Sequence, residues 1–107
     1  MYEYTEEILK MSKLIGMNPI KGVDKNTGNI YYYYNDPIMR DYLALPIFDT
    51  WDELMPVVIK IESLGGDNRE FDIFGNCVGF DNKEFIGETK IEAVRNAIMY
   101  YVNTYVD

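Results

Sequence analysis

The chain has 107 residues, with 10 basic and 18 acidic side chains, a formal charge of −8 and no histidine. Its 48% hydrophobic and 15% aromatic content fills one core and is too high for a disordered chain, whose burial cannot offset the entropy of ordering. The charge argues against free nucleic acid or an anionic membrane as partner, because phosphate binding draws on clustered Lys and Arg; the missing histidine excludes Ser-His-Asp and Cys-His catalysis and zinc sites needing several Cys or His ligands.

Cys77 is the single cysteine, so no internal disulfide can form and a reducing compartment is expected. The first residues carry Glu3, Glu6 and Glu7 where a signal peptide carries base, and no apolar run is long enough to span a bilayer. The expectation is one domain, residues 1–107, in the cytoplasm.

In chain order, Thr5 caps a first helix in which Glu6 and Glu7 favour the N-terminus. Ile8, Met11, Leu14 and Ile15 line one face, Tyr4 can staple onto Leu9, and Gly16 with Asn18-Pro19 stops the helix. Ile20 to Asp24 and Ile30 to Tyr34 flank the turn-rich Lys25 to Asn29, which predicts a hairpin. Extended, the run Tyr31 to Tyr34 must split its rings between two faces, with either 31 and 33 or 32 and 34 turned inward. From Pro37 to Phe48 the chain is too apolar for a free linker and reads as an ordered connection punctuated by Pro37 and Pro46.

Thr50-x-x-Glu53 reads as a capping box opening the central helix, whose apolar positions 51, 54, 55, 58 and 61 form one stripe. Pro56 competes with the box over where that helix begins, and Gly65-Gly66 closes it. Gly75-Asn76 then joins residues 71–74 to 77–80 as a hairpin, with Phe71, Ile73, Val78 and Phe80 on one face and Phe74, Cys77 and Ile86 beside Asp72 on the other. A turn at Asn82-Lys83 would set Phe85 opposite Phe80. A second capping box, Thr89-x-x-Glu92, opens a last helix with Ile91, Val94, Ala97 or Ile98, Tyr101 and Tyr105 on its inner stripe. The order is α-ββ-α-ββ(β)-α, an α+β fold of short antiparallel strands, in two hairpins or a meander, with three helices.

The string Trp51-x-x-Leu54-Met55-Pro56-Val57-Val58-x-Lys60-Ile61-Glu62, followed by Lys90-Ile91-Glu92-Ala93-x-x-x-Ala97 with Tyr100 and Tyr101, resembles a group of small uncharacterised proteins encoded by phages and prophages. The resemblance covers about the second half of the chain. It implies a single-domain α/β/α sandwich and a phage or mobile-element setting, and it implies no activity. Ile59 stands where that group usually carries a charged residue, as core or as part of a contact patch.

The candidate chemistry is therefore recognition, with no catalytic residue, cofactor or metal site assigned. Carboxylate pairs such as Asp49 with Asp52 or Asp72 with Asp81 leave a metal-dependent or small-ligand reading open, because magnesium and calcium need only oxygen ligands. The Asp24 to Asn29 stretch is no calcium loop, since its glycine falls one place early and Asn35 stands where the bidentate glutamate belongs. Gly65-Gly66 ends a helix and cannot cradle phosphate, Cys77 reads as a buried thiol, and Trp51 as a core anchor. From Glu62 to Glu92 eight acids face only Arg69, Lys83 and Lys90. Solubility explains such a surface, and so does an inhibitor that occupies a basic nucleic-acid-binding groove. The contact residues on the second reading are Glu62, Asp67, Glu70, Asp72, Glu84, Glu88, Ile59 and Tyr100. Ten tyrosines, a residue common in binding sites, also fit a structural module that pairs with a second copy.

Overall fold

The computed structural model describes residues 5–106. It is an α+β fold of three helices and two three-stranded antiparallel sheets in the order α-βββ-α-βββ-α. The chain divides into two compact units, Met1–Ile47 and Phe48–Asp107. Charge divides unequally between them: six acids and five bases fall in the first, twelve acids and five bases in the second.

The first unit opens with α1 (Glu6–Leu14), where the Thr5 hydroxyl accepts from the Ile8 N–H. Gly16, at φ 86°, lets the chain close a double C-terminal lock, with the Met17 N–H donating to the Ser12 carbonyl and the Gly16 N–H to that of Lys13. Ile8, Met11 and Ser12 are its buried residues, while Leu14 and Ile15 are only half-buried. Tyr2 and Tyr4 lie outside the described residues.

Strands β1 (Ile20–Val23), β2 (Ile30–Asp36) and β3 (Asp41–Ala44) follow as a meander. The expected first hairpin forms, with Ile20 opposite Tyr33 and Val23 opposite Ile30, and the Asp24 carboxylate accepts from Asn26 and Thr27 to hold the loop. The expected ordered connection is in part a third strand. Asp36 accepts from the amides of Ile38 and Met39 and turns the chain back, and Arg40 at φ 56° completes the turn, so that Tyr42 pairs with Asn35 and Ala44 with Tyr33. The tyrosine run splits as period two requires. Tyr31 and Tyr33 share a face with Tyr42, while Tyr32 and Tyr34 take the other and are half-buried.

In the second unit, α2 (Trp51–Leu64) runs unbroken through Pro56. The capping box is incomplete. Thr50 stands at the N-cap without a side-chain hydrogen bond, and Glu53 reaches past it to the Asp49 N–H at 3.2 Å. Leu54, Val57, Val58 and Ile61 form the buried stripe, which is rotated from the expected one because Met55 turns outward and Val57 replaces it. Just before this helix Phe48 is fully buried at φ 59°, rare backbone for a bulky residue, and its carbonyl accepts from Arg95 Nε at 3.0 Å.

Strands β4 (Asp72–Phe74), β5 (Cys77–Phe80) and β6 (Lys83–Ile86) form the second sheet, and α3 (Lys90–Tyr105) packs against all three, with α2 packed on α3. Gly75 at φ 61° makes the first turn, and Phe74 pairs with Cys77 as expected. The second turn is Asp81-Asn82, not Asn82-Lys83. Both residues adopt positive φ, at 54° and 60°, and Phe80 pairs with Lys83 and Val78 with Phe85. This two-residue turn matches the right-handed twist of its strands, and Asp and Asn tolerate the left-handed backbone it needs. The Thr89 half of the second expected capping box forms, its oxygen accepting from the Glu92 N–H at 3.1 Å. Ala93, Val94, Ala97, Ile98, Tyr101 and Val102 are buried along it.

Gly87 joins the sheet to α3. Its N–H donates to the Asn76 carbonyl and its own carbonyl accepts from Asn76 Nδ2 at 2.8 Å, while a Cβ would stand 2.6 Å from the Ala93 nitrogen. Gly87→Ala should therefore force backbone apart and lower stability by about 1–3 kcal/mol. Gly79→Ala, whose Cβ meets nothing nearer than 3.7 Å, should shift it by less than about 0.5 kcal/mol. Urea denaturation followed by circular dichroism measures both.

Candidate functional site

Because strand side chains alternate, the register of the second sheet sorts them into an inner set toward α3 and an outer set. Ile73, Val78, Phe80, Lys83 and Phe85 point inward. On the outer face Phe74, Cys77 and Ile86 stand in one cross-strand row, and Asp72, Gly79 and Glu84 in the next. The outer face is open: Phe74 is 57% and Ile86 68% exposed, and Asp72 and Glu84 are exposed too. Cys77 is half-buried in the middle of the apolar row and not in a core. Gly79 leaves a floor without a side chain between the two carboxylates, with the Asp72 Cβ leaning over it. An apolar stripe thus runs beside an acidic one.

The inner side at the turn end of this sheet holds the bases. Asp81, placed by its turn, accepts at Oδ2 from the hydroxyls of Tyr100 at 2.6 Å and Tyr105 at 2.8 Å, and its Oδ1 lies 3.7 Å from Arg69 Nε. The Arg69 guanidinium carbon sits 3.9 Å from the centre of the Tyr105 ring, and Lys83 Nζ lies 5.8 Å from that of Tyr100. The rings continue inward, with Tyr105 against Tyr101, Tyr101 edge-on to Phe80, and Phe80 stacked on Phe71. Two of the three bases between Glu62 and Glu92 are thereby drawn to Asp81 and its tyrosines. Between this cluster and the outer face lies an open cavity of about 360 Å³ whose lining includes Arg69, Glu70, Asp72, Asp81 and Lys83.

The sequence-predicted contact residues are only partly brought together. Asp72 and Glu84 flank Gly79, and Glu70 joins Asp72 at the cavity. Glu62 is engaged internally, its Oε2 accepting from the Phe71 N–H at 3.0 Å, and the Tyr100 hydroxyl is taken by Asp81. Glu88 precedes the N-cap of α3, where a negative charge favours the helix dipole. Asp67 is exposed after α2, and Ile59 on α2 is 60% exposed, so it is not core. The Asp81, Arg69 and Tyr105 cluster was not legible in the sequence, though a polar pair between two apolar strands was its signal. Among the described residues no group of three or more Cys, Asp or Glu side chains is arranged to hold a metal ion.

The Tyr100 hydrogen bond is the largest cause holding the Asp81 carboxyl below its usual range, followed by that of Tyr105, with Arg69 and Lys83 assisting against partial desolvation. The folded chain therefore binds this proton more weakly than the unfolded chain. Stability from Asp81 is present above the unfolded value of about 4 and is lost as pH falls through the lower folded value. Tyr100 moves the opposite way, its hydroxyl pushed up chiefly by its bond to Asp81, so its contribution is present below about pH 10 and is lost as pH rises through the higher folded value. Tyr100→Phe should raise the Asp81 titration midpoint and shift acid unfolding to higher pH, with Tyr105→Phe doing so less. Carboxyl carbon NMR titration of the three proteins reads both effects, and an unmoved midpoint in Tyr100→Phe would contradict them.

Compared with protein-family models, with curated proteins and with solved structures, the chain matches none.

Proposed function

We propose that this chain is a non-enzymatic accessory protein of the phage or mobile-element kind. It acts in the host cytoplasm by binding a basic protein through the open face of its second sheet. The observation that carries this reading is the pairing of an exposed apolar row, Phe74 with Ile86, with the acidic row of Asp72 and Glu84. Such a face offers contact area that excludes water and, beside it, charges that select a cationic partner. Its two carboxylates stand roughly 10 Å apart, the width of two strand spacings. There, with Glu70 nearby, they stand in for phosphates in a groove lined by Lys and Arg. No helix among the described residues is long and apolar enough to cross a membrane.

The immobilised chain should retain a basic protein from host lysate at about 50 mM salt and release it by about 500 mM. The double variant Asp72→Lys, Glu84→Lys should weaken capture about tenfold or more, and the bound partner should slow maleimide labelling of Cys77. A retained set unchanged by the double variant sinks the proposal. Equal labelling of Cys77 with and without partner does so too.

A further inference from the structure

The open cavity of about 360 Å³ beside Asp81 lies wholly within the second unit, and its wall carries a donor and an acceptor that do not satisfy each other. Both tyrosine hydroxyls bond to Asp81 Oδ2, so Oδ1 accepts from neither. Arg69 Nε, 3.7 Å from Oδ1, is beyond hydrogen-bond length and is buried without a hydrogen-bond partner. A buried N–H left in this way is uncommon in a folded chain. The guanidinium is nonetheless fixed from two sides. Its carbon lies 3.9 Å from the centre of the Tyr105 ring, and its stem passes so close to Gly66 that a Cβ there would stand 3.1 Å from Arg69 Cγ. The Arg69 and Asp81 side chains are 19% and 16% exposed, so each keeps a polar edge at the cavity.

Around this pair the signs of charge are interleaved. Glu70 and Asp72 line the same cavity as Arg69 and Lys83, and no side of the chain sequence there holds one sign alone. Asn68 and Asn82, both exposed and both at φ 60°, add two amides to the rim, each a donor and an acceptor. Phe80 is the one aromatic ring among the lining residues and is 2% exposed, so no ring face is open to a ligand.

This chemistry selects a ligand. An ion of either sign meets attraction and repulsion at similar distances, because opposite charges 3.7 Å apart largely cancel for a third charge nearby. A nucleobase is held by stacking on an open ring, which the cavity does not offer. A hydroxyl is donor and acceptor at once. It accepts from the guanidinium and donates to Asp81 Oδ1, and both bonds gain from the charge of the protein group. A sugar carries hydroxyls on adjacent carbons, so its next ones reach the amides of Asn68 and Asn82 or the carboxylates of Glu70 and Asp72. The volume lies at the small end of the range for small-molecule sites, about 300–1,000 Å³, which limits the ligand to roughly one or two sugar rings. We infer that this cavity binds a small neutral saccharide whose hydroxyls bridge Arg69 and Asp81. The inference does not rest on the basic-partner reading of the outer face.

Glucose, galactose, mannose, N-acetylglucosamine, maltose and lactose titrated into the isotopically labelled chain test this, with glutamate, phosphate, putrescine and adenosine as comparisons. At least one of the sugars should shift the Arg69 Nε–H and the amides of Gly79, Asp81 and Asn82, saturating at millimolar concentration and leaving the amides of the first unit in place. Its dissociation constant should change less than about twofold between about 50 mM and about 500 mM salt, a range over which capture of a basic protein is lost. Arg69→Lys, which keeps the charge but not the planar fork of donors, should weaken binding about tenfold. The shifts are read in the unaltered protein, so the test does not depend on any variant folding. No saturable shift with any of these sugars, a shift spread over both units, a larger shift at the same amides with one of the comparisons, or full binding by Arg69→Lys would overturn the inference.

Discussion

The second unit depends on one packing arrangement, α3 laid against a sheet of three very short strands. Strands of three and four residues cannot hold together in water through their own hydrogen bonds. They persist because Val78 and Phe80 are buried from the sheet side and Ala93, Val94, Ala97, Ile98, Tyr101 and Val102 along the helix. Each large side chain so buried is worth roughly 1.5–3 kcal/mol. Satisfying one face of the sheet fixes the other by alternation. Once Val78 and Phe85 point at the helix, Cys77, Ile86 and Phe74 must point away from it. The open apolar row is therefore a geometric consequence of the core, and its chemistry is free to be set by function.

The Asp81-Asn82 turn governs charge in the same way. The two-residue turn, with both central residues in the left-handed region, sets Phe80 opposite Lys83 and places Asp81 within reach of two tyrosines near the far end of α3. The carboxylate then collects Arg69 as well. One residue in an unusual backbone region thus ties the loop after α2 and the end of α3 to the sheet, a link reinforced by the Asp81 N–H donating to the Asn68 carbonyl. The unit as a whole keeps twelve acids against five bases.

The elements with a local cause were legible in the sequence. Thr5 and Thr89 announced helix starts that form with their hydroxyls bonded, Gly16 announced a stop, and Gly75 placed a hairpin in register. Failures came where the cause is distant. Asp41 to Ala44 has no strand pattern of its own and pairs only because Asp36 bends the chain back onto β2. The Asn82-Lys83 turn was off by one residue, a two-place slip in register, because Asp-Asn lacks the glycine that usually marks such turns. Met55 and Val57 exchanged roles because helical spacing fixes a stripe only to within a residue at its edge. The acidic positions were visible, but which of them meet was not. Asp72 and Glu84 become neighbours only through Gly79, twelve residues of sequence folded into a double hairpin.

The two sheets are built alike, each an antiparallel meander in chain order, yet their open faces carry opposite chemistries. Fold alone would not separate them, because alternation leaves an outward set on any such sheet and says nothing about its content. The content follows the division of charge. The near-neutral unit exposes tyrosines, and the acidic unit exposes carboxylates beside bare hydrocarbon. Solubility would be served by scattering acids over both units. Their concentration in one, with the strand residues on the tyrosine face of the other all uncharged, gives the two faces different electrostatics. Salt would therefore act more on contacts made through the acidic face than on contacts made through the tyrosine face.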